Sequence, residues 1–340
     1  MKTGKHPRQI SARAPTLDDV ARTAGLSSMT VSRALNTPQL VRPATVAKVM
    51  AAVTATGYIP NALAGGLASS RSRLIALVVP QINNPMFVDT IQALNDALAQ
   101  RGYTLLLCVT GYSETAEADT VATILSRRPD GIVLTGIHHT QTLKRVIMQA
   151  AVPVVEIWDM TPTPLDMLVG FSHEKAGNCL GHFLAQKGYS RPALIWTDDR
   201  RGRQRKQGVI ASFHQHGITI SAESSVPLPA SLQLGREALA ALLDSGTSCD
   251  VIVCSSDTLA QGAIMEAQAR QLSVPQQLAV SGFGDLAFAA WNQPAITTVH
   301  IDRAAIGHRA ATLLADSIAG LTIAEPIIDI GFTMVERDSA

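Results

Sequence analysis

The sequence predicts an α/β protein with an N-terminal all-α helix-turn-helix head followed by two doubly wound α/β lobes. Three observations predict it. The polar stretch "TLDDVARTAGLSSMTVSRALN" (residues 16–36) has helical period and a single break at Gly25. From Arg73 onward, apolar runs of strand length alternate with amphipathic segments, as in a parallel sheet with helical crossovers. The pattern of residues 73–107 then restarts at residue 191, in "RPALIWTDDRRGRQRKQGVIASFHQHGITI", which fits two similar lobes better than one long sheet.

The chain has 340 residues and is 46% hydrophobic, enough for a large core and two or three domains. Its net charge of +1 conceals an asymmetry. Residues 1–73 hold ten Lys/Arg against Asp18 and Asp19, a net of +8, whereas the remainder carries −7. A basic head on an acidic body predicts a polyanionic partner for the head. Cys108, Cys179, Cys249 and Cys254 are scattered and form no metal-ligand spacing, so they are expected as reduced, mostly buried thiols. With no signal-peptide h-region and no long apolar span, the protein is expected to be cytoplasmic, without membrane contact.

In the head, Thr16 can cap a first helix whose acidic start, Asp18 and Asp19, complements the helix dipole. Val20 and Ala24 give it an apolar face, Gly25 permits the turn and Leu26 plugs the core. Ser27 can cap a second helix from Ser28 to about Leu35. Ala21, Gly25 and Val31 then stand where a helix-turn-helix needs a small residue, a turn former and an interhelical contact. With Val31, Ala34 and Leu35 inward, the second helix presents Ser28, Met29, Ser32 and Arg33 outward, the face a recognition helix offers to the major groove. Arg33 suits guanine and Met29 a thymine methyl, while Ser27, Thr30 and Asn36 suit phosphate oxygens. A third helix, Pro43 to Thr56, places Val46, Val49, Met50 and Val53 at helical spacing and stops at Gly57.

In the body, "LIALVV" (74–79), "YTLLLCV" (103–109), "GIVLTG" (131–136), "VPVVEIW" (152–158), "PALIW" (192–196), "DVIVCSS" (250–256) and "LAVSGFG" (278–284) are the expected strands. Ligands of such sheets sit beyond the carboxyl ends of the strands. The loops expected to matter are therefore 80–87, 135–139, 156–171, 197–205, 255–258 and 283–287.

"TVSRALN", "GYIPN", "NNPMF", "GFSHE" and "SGFGD" resemble the lactose-repressor (LacI/GalR) family of bacterial transcription regulators over nearly the whole chain. Within it, "MTVSR", "PVVE", "VGF" and "DIGFT" are similar to gluconate-operon repressors. The resemblance implies a helix-turn-helix head over 15–60 and a hinge helix over 61–72. It also implies a periplasmic-binding-protein-like sensor over 73–340, with an N-lobe of about 73–171 and 301–327 and a C-lobe of about 172–300 and 328–340. It implies double-stranded, near-palindromic operator DNA as partner, a homodimer, and a small-molecule effector rather than a cofactor. Leu67 falls where the family wedges a leucine into the minor groove, with Asn61 and Ala64 beside it. Gly65 and Gly66 depart from the family pattern, each weakening a hinge helix by about 1 kcal/mol relative to alanine, so the hinge is expected to fold only on operator DNA.

By resemblance, Phe87, Thr135, Phe171, Arg205, Ser256, Asp257 and Asp285 line or adjoin the effector cleft. A guanidinium at Arg205 can clamp a carboxylate or phosphate, whereas the other cations of 200–206 read equally as a solvated, mobile loop. Gly284 stands where many sugar-binding relatives carry an aspartate, and Glu156 and Asp159 are both candidates for a cleft carboxylate. One hydroxyl acceptor fewer beside an arginine points to an acidic sugar, gluconate or a close sugar acid, with a neutral sugar or nucleobase as the alternative. Whether the effector induces or corepresses is open at this level.

An enzyme is the rival class, but no P-loop, no GxGxxG after the first strand and no GxSxG elbow occurs. A transport-type binding protein would need an export signal and no reading head. His138, His139, His214 and His216 lack suitably spaced partners for a metal and read as surface histidines. No heptad tail follows Glu336, which favours a dimer over a tetramer.

Overall fold

In the computed structural model, which describes residues 13–59, 71–111 and 114–340, the head is a three-helix unit. Helix α1 (Leu17–Ala24) starts where the Asp19 carboxylate accepts hydrogen bonds from the Thr16 backbone N–H at 2.9 Å and its hydroxyl at 2.7 Å. It stops at Gly25, whose left-handed φ of 60° turns the chain into α2 (Ser28–Asn36), capped by the Ser27 hydroxyl. Helix α3 (Pro43–Thr56) takes Pro43 in its first turn. Val20, Ala21, Ala24, Val31, Ala34, Val49 and Ala52 form the buried core, with Leu26 and Val46 packed against it. Of the apolar residues at helical spacing on α3, Val49 is in the core and Met50 is half exposed. Asn61, Ala64 and Leu67, with the hinge glycines, lie outside the described residues.

The chain divides between Ser72 and Arg73 into two compact units. In the second unit, the first lobe is built on β1 (Leu74–Val79), α4 (Pro85–Gln100), β2 (Thr104–Val109), α5 (Glu114–Leu125), β3 (Gly131–Thr135), α6 (Gln141–Ala150), β4 (Val154–Ile157) and β5 (Met167–Gly170). The chain crosses to the second lobe through α7 (His173–Gln186), β6 (Pro192–Thr197), α8 (Arg200–Gln215), β7 (Ala222–Val226), α9 (Leu232–Asp244), β8 (Val251–Cys254), α10 (Asp257–Ala269) and β9 (Ala279–Ser281). After β10 (Thr298–His300) it returns for α11 (Arg303–Ile318) and β11 (Ile327–Asp329), then crosses a third time to β12 (Thr333–Val335), antiparallel to β10.

The first sheet is parallel in the order β11-β5-β4-β3-β1-β2 and the second in the order β7-β6-β8-β9. In both, the first strand of the lobe is flanked by the next two, so the connections leave in opposite directions at the β1/β3 and β6/β8 junctions. A crevice opens beyond the carboxyl ends of the strands at such a junction.

Four sequence expectations are corrected. Met167–Gly170 is a buried strand inside the expected 156–171 loop. The strand expected at "ITI" (218–220) starts instead at Ala222; Ile218 and Ile220 pack on the core without entering the sheet. The first lobe extends to Asp329, because β11 pairs with β5 through Asp329↔Gly170. Residues 200–206 are the start of helix α8 rather than a mobile loop, fixed by the Asp199 cap on the Gly202 N–H at 2.8 Å.

Candidate functional site

On the head, the outward face of α2 carries Met29, 73% exposed, and one turn later Arg33, also exposed. Among the described residues no hydrogen bond or ion pair engages the Arg33 guanidinium, leaving its donors available to base edges. Ser28 donates to Asp18 at 2.5 Å, the Ser27 and Thr30 hydroxyls lie 2.8 Å apart, and Asn36 donates to Ser32 at 3.2 Å. The Ser27–Thr30 pair uses one of its two O–H donors and Asn36 one of its two amide N–H donors, so each leaves a donor for a phosphate oxygen.

The body's cavity lies between the lobes at the strand ends. One compartment, with about 830 Å³ of empty space, is lined by Gln81, Asn84, Met86, Phe87 and Trp158 of the first lobe and by His173, Arg205, Ser255, Ser256 and Phe283 of the second. An adjoining compartment of about 700 Å³ is lined by Val78, Thr135, Gly136, His138, Asp159 and Arg200; Asp199 and Arg201 border both. Both figures include solvent at the mouth of the cleft.

Arg205 is the chemical centre of the first compartment. Only 9% exposed, its guanidinium lies over the Phe283 ring at 4.4 Å from the centroid. One amino group donates to His173 Nδ1 at 3.2 Å and the other reaches the Ser255 carbonyl at 3.4 Å. His173 Nε2 donates to the Trp158 carbonyl at 2.7 Å, which fixes Nδ1 as the acceptor facing Arg205. Burial, then the Arg205 and Arg201 charges, holds the His173 pKa well below the usual histidine value, so the ring is a neutral acceptor. Burial likewise lowers the Arg205 pKa.

Among the described residues no carboxylate lies within ion-pair distance of Arg205, and its Nε–H has no partner. Trp158 Nε1 and Gln81 Oε1 are also buried and unpartnered. Unsatisfied buried polar groups are costly, and three of the five such atoms among the described residues belong to residues lining this compartment. Phe87 and Trp158 meet edge to face at 5.4 Å and provide an apolar wall.

The expected site residues divide. Phe87, Arg205 and Ser256 line the first compartment, and Ser256 also caps α10. Thr135 lines the second, its hydroxyl donating to the Val78 carbonyl at 2.8 Å. Phe171 is fully buried behind the wall, packed on Trp158, His173 and Phe283. Asp257 does not reach the cavity: it is fully buried and accepts from the Thr298 hydroxyl at 2.6 Å and the Leu286 N–H at 2.7 Å. Burial pushes its pKa up to about 6 against those two hydrogen bonds. Asp285 is also turned away, clamped by Arg337 at 2.7 Å and His300 at 2.9 Å.

Of the two open carboxylates, Asp159 borders the cavity while Glu156 is buried away from it. Glu156 accepts from the Leu165 N–H at 2.7 Å and contacts His139 Nε2 at 3.1 Å. His139 is therefore not a surface histidine; it is sandwiched between Glu156 and Glu117, whose Oε2 is 3.1 Å from Nδ1. Trp158, His173 and Arg201 are site residues that the sequence reading missed. The available signal was positional: Arg201 precedes Arg205 by one helical turn, and Trp158 ends a predicted strand.

Residues 16–61 match the family described as bacterial regulatory proteins, lacI family, and residues 72–333 match periplasmic binding proteins and sugar binding domain of LacI family. The chain is 35% identical to the HTH-type transcriptional regulator GntR of Pseudomonas aeruginosa, over 96% of this chain and 95% of that protein. It is 29% identical to the ribose operon repressor of Escherichia coli over 96% of this chain and 99% of that one. A LacI-family transcriptional regulator from Silicibacter pomeroyi superposes with a TM-score of 0.91 at 30% identity, over 96% of this chain and 99% of its own. The transcription regulator GntR from Chromobacterium violaceum gives 0.75 at 32%, over 78% and 98%. With a reading helix at one end and a two-lobed cavity in the other unit, the chain belongs to the LacI family and is a DNA-binding transcriptional regulator rather than an enzyme.

Proposed function

We propose that this regulator represses a sugar-acid utilisation operon and that a small sugar acid of the gluconate type, bound between the lobes, controls its hold on the operator. The observation that carries the reading is Arg205: a buried guanidinium with an unpartnered Nε–H and, among the described residues, no carboxylate at ion-pair distance, lining the cleft between the lobes. A ligand carboxylate supplies the missing charge, and Trp158 Nε1 and Gln81 Oε1 offer one donor and one acceptor for hydroxyl groups. The likeness to proteins named GntR supports the same class, as does the sugar-binding description of the matched family.

In this reading Ser28, Met29, Ser32 and Arg33 face the bases, Ser27, Thr30 and Asn36 position the helix on phosphates, and Asn61, Ala64 and Leu67 belong to a minor-groove hinge. The protein acts in the cytoplasm as a homodimer on a near-palindromic site, since two reading helices must meet two half-sites.

A thermal-shift screen of sugar acids, neutral sugars and purines tests the ligand class, because a ligand of the native state raises the melting temperature. Gluconate or a close relative is expected to stabilise the protein at millimolar concentration. Stabilisation by neutral sugars or purines alone would overturn the anion reading and favour the alternatives.

A further inference from the structure

The cavity holds a second guanidinium, and its partner is a carboxylate from the opposite lobe. Arg201 Nε of α8 donates to Asp159 Oδ2 at 2.6 Å, with Asp159 2% exposed on the chain between β4 and β5. Arg201 also lies over the Phe87 ring, at 5.9 Å from the centroid. It stands four residues before Arg205, and both side chains border the same compartment.

Asp159 approaches Arg205 across the His173 ring. Its Oδ1 is 3.8 Å from His173 Nε2, and His173 Nδ1 is 3.2 Å from the Arg205 guanidinium, so a single neutral imidazole separates the two charges. Asp199, then Arg201, then Asp159 act electrostatically on Arg205, with Arg201 opposing the two acids. Asp199, the other acid nearby, is occupied as the cap of α8, accepting from the Gly202 N–H at 2.8 Å and the Thr197 hydroxyl at 2.9 Å.

We infer that Arg201 is a specificity-determining residue: by engaging Asp159 it withholds that carboxylate from Arg205 and so keeps Arg205 open to the carboxylate of a ligand. Without Arg201, Asp159 is an internal competitor that pairs with Arg205 and repels an incoming anion. The ion pair also spans the two lobes, but a purely mechanical latch would affect acidic and neutral ligands alike. Charge withholding affects acids alone.

The inference rests on the sugar-acid reading, and the test separates the two. Calorimetric titration of gluconate and of the neutral polyol glucitol is made on the wild type, Arg201→Gln, Asp159→Asn and the double variant. Arg201→Gln is expected to weaken gluconate roughly thirtyfold or more, as for loss of one partner of a buried charge pair. Glucitol, which carries no charge, should lose about tenfold less affinity than gluconate in the same variant. Asp159→Asn should strengthen gluconate, and adding it to Arg201→Gln should restore most of the loss. A double variant as weak as Arg201→Gln, or equal losses for acid and polyol, overturns the inference.

A crystal structure of ligand-free Arg201→Gln makes the test independent of ligand identity. Asp159 is expected within about 3 Å of the Arg205 guanidinium. If Asp159 stays apart from Arg205, the inference fails whatever the wild type binds. If wild-type protein ignores gluconate while Asp159 does move onto Arg205, the sugar-acid reading fails and this one stands.

Discussion

The Arg205 guanidinium is held by geometry as well as charge, since Phe283 beneath it and His173 beside it fix its plane. A lysine keeps the charge but lacks the planar fork, so Arg205→Lys is expected to cost sugar-acid binding about 1.5–3 kcal/mol, as for loss of one charge-assisted hydrogen bond. Isothermal titration measures it, and near-wild-type affinity in the lysine variant would show that orientation is irrelevant. His139 gives a second residue-level prediction. Burial opposes its protonation, but the hydrogen bonds and charges of Glu117 and Glu156 outweigh it and raise its pKa from 6.5 to about 9. The folded state therefore holds a proton that the unfolded chain releases above pH 6.5. The resulting stability, about 3 kcal/mol at most, is complete below pH 6.5 and is lost as pH rises through 9. Urea unfolding between pH 6 and 10 should show this fall, and His139→Gln should flatten it.

At the scale of elements, α7 and α8 place the binding residues by unusually close approach. A Cβ on Gly177 would meet the Arg205 carbonyl oxygen at 2.0 Å, and one on Gly208 would meet that of Glu174 at 2.1 Å. Gly177→Ala must push α8 outward, at a cost of about 1–3 kcal/mol for overpacking. Because the displaced backbone is that of Arg205, the variant should lose ligand affinity along with melting temperature. A lower melting temperature with unchanged affinity would show that α8 moves as a rigid unit without carrying its side chain off target.

These packing details also explain what the sequence makes legible. Apolar runs such as "LIALVV" and "DVIVCSS" are buried on both faces of a parallel sheet, so hydrophobicity alone locates them. The strand Ala222–Val226 is half polar and lies at a sheet edge, and Met167–Gly170 is too short to stand out from its loop. Local composition cannot reveal either; pairing with distant strands creates them. The cavity shows the same limit. Arg205 is legible as a cation at a strand-end helix, whereas Asp257 and Asp285 are acids whose partners, Thr298 and Arg337, come from segments remote in sequence. Charged clusters such as 200–206 read as solvent-facing until a cap and a buried counter-ion turn them into a helix lining a site.

For the whole molecule, the division of charge governs DNA binding. Residues 1–73 carry +8 and the remainder −7, so the operator attracts one end of the chain and repels the other. Operator affinity should fall steeply with salt, by about 10³-fold or more between 50 and 200 mM if six or more phosphates are contacted. A fluorescence-anisotropy titration at several salt concentrations checks this, and salt-insensitive binding to every duplex would contradict operator recognition. Saturating sugar acid should change operator affinity by about 5–150-fold, the usual range of coupling between two sites. Gly66→Ala should alter that response if hinge folding conveys it.

The three chain crossings between the lobes, after β5, after β10 and after β11, limit what a ligand can say. A single tether would let one lobe swivel about the other, whereas three side by side behave like the leaves of a door hinge and leave chiefly one angle of opening. The message from a bound metabolite is therefore a scalar. A molecule bound between the lobes is then expected to act on how far that angle opens rather than on the direction of opening.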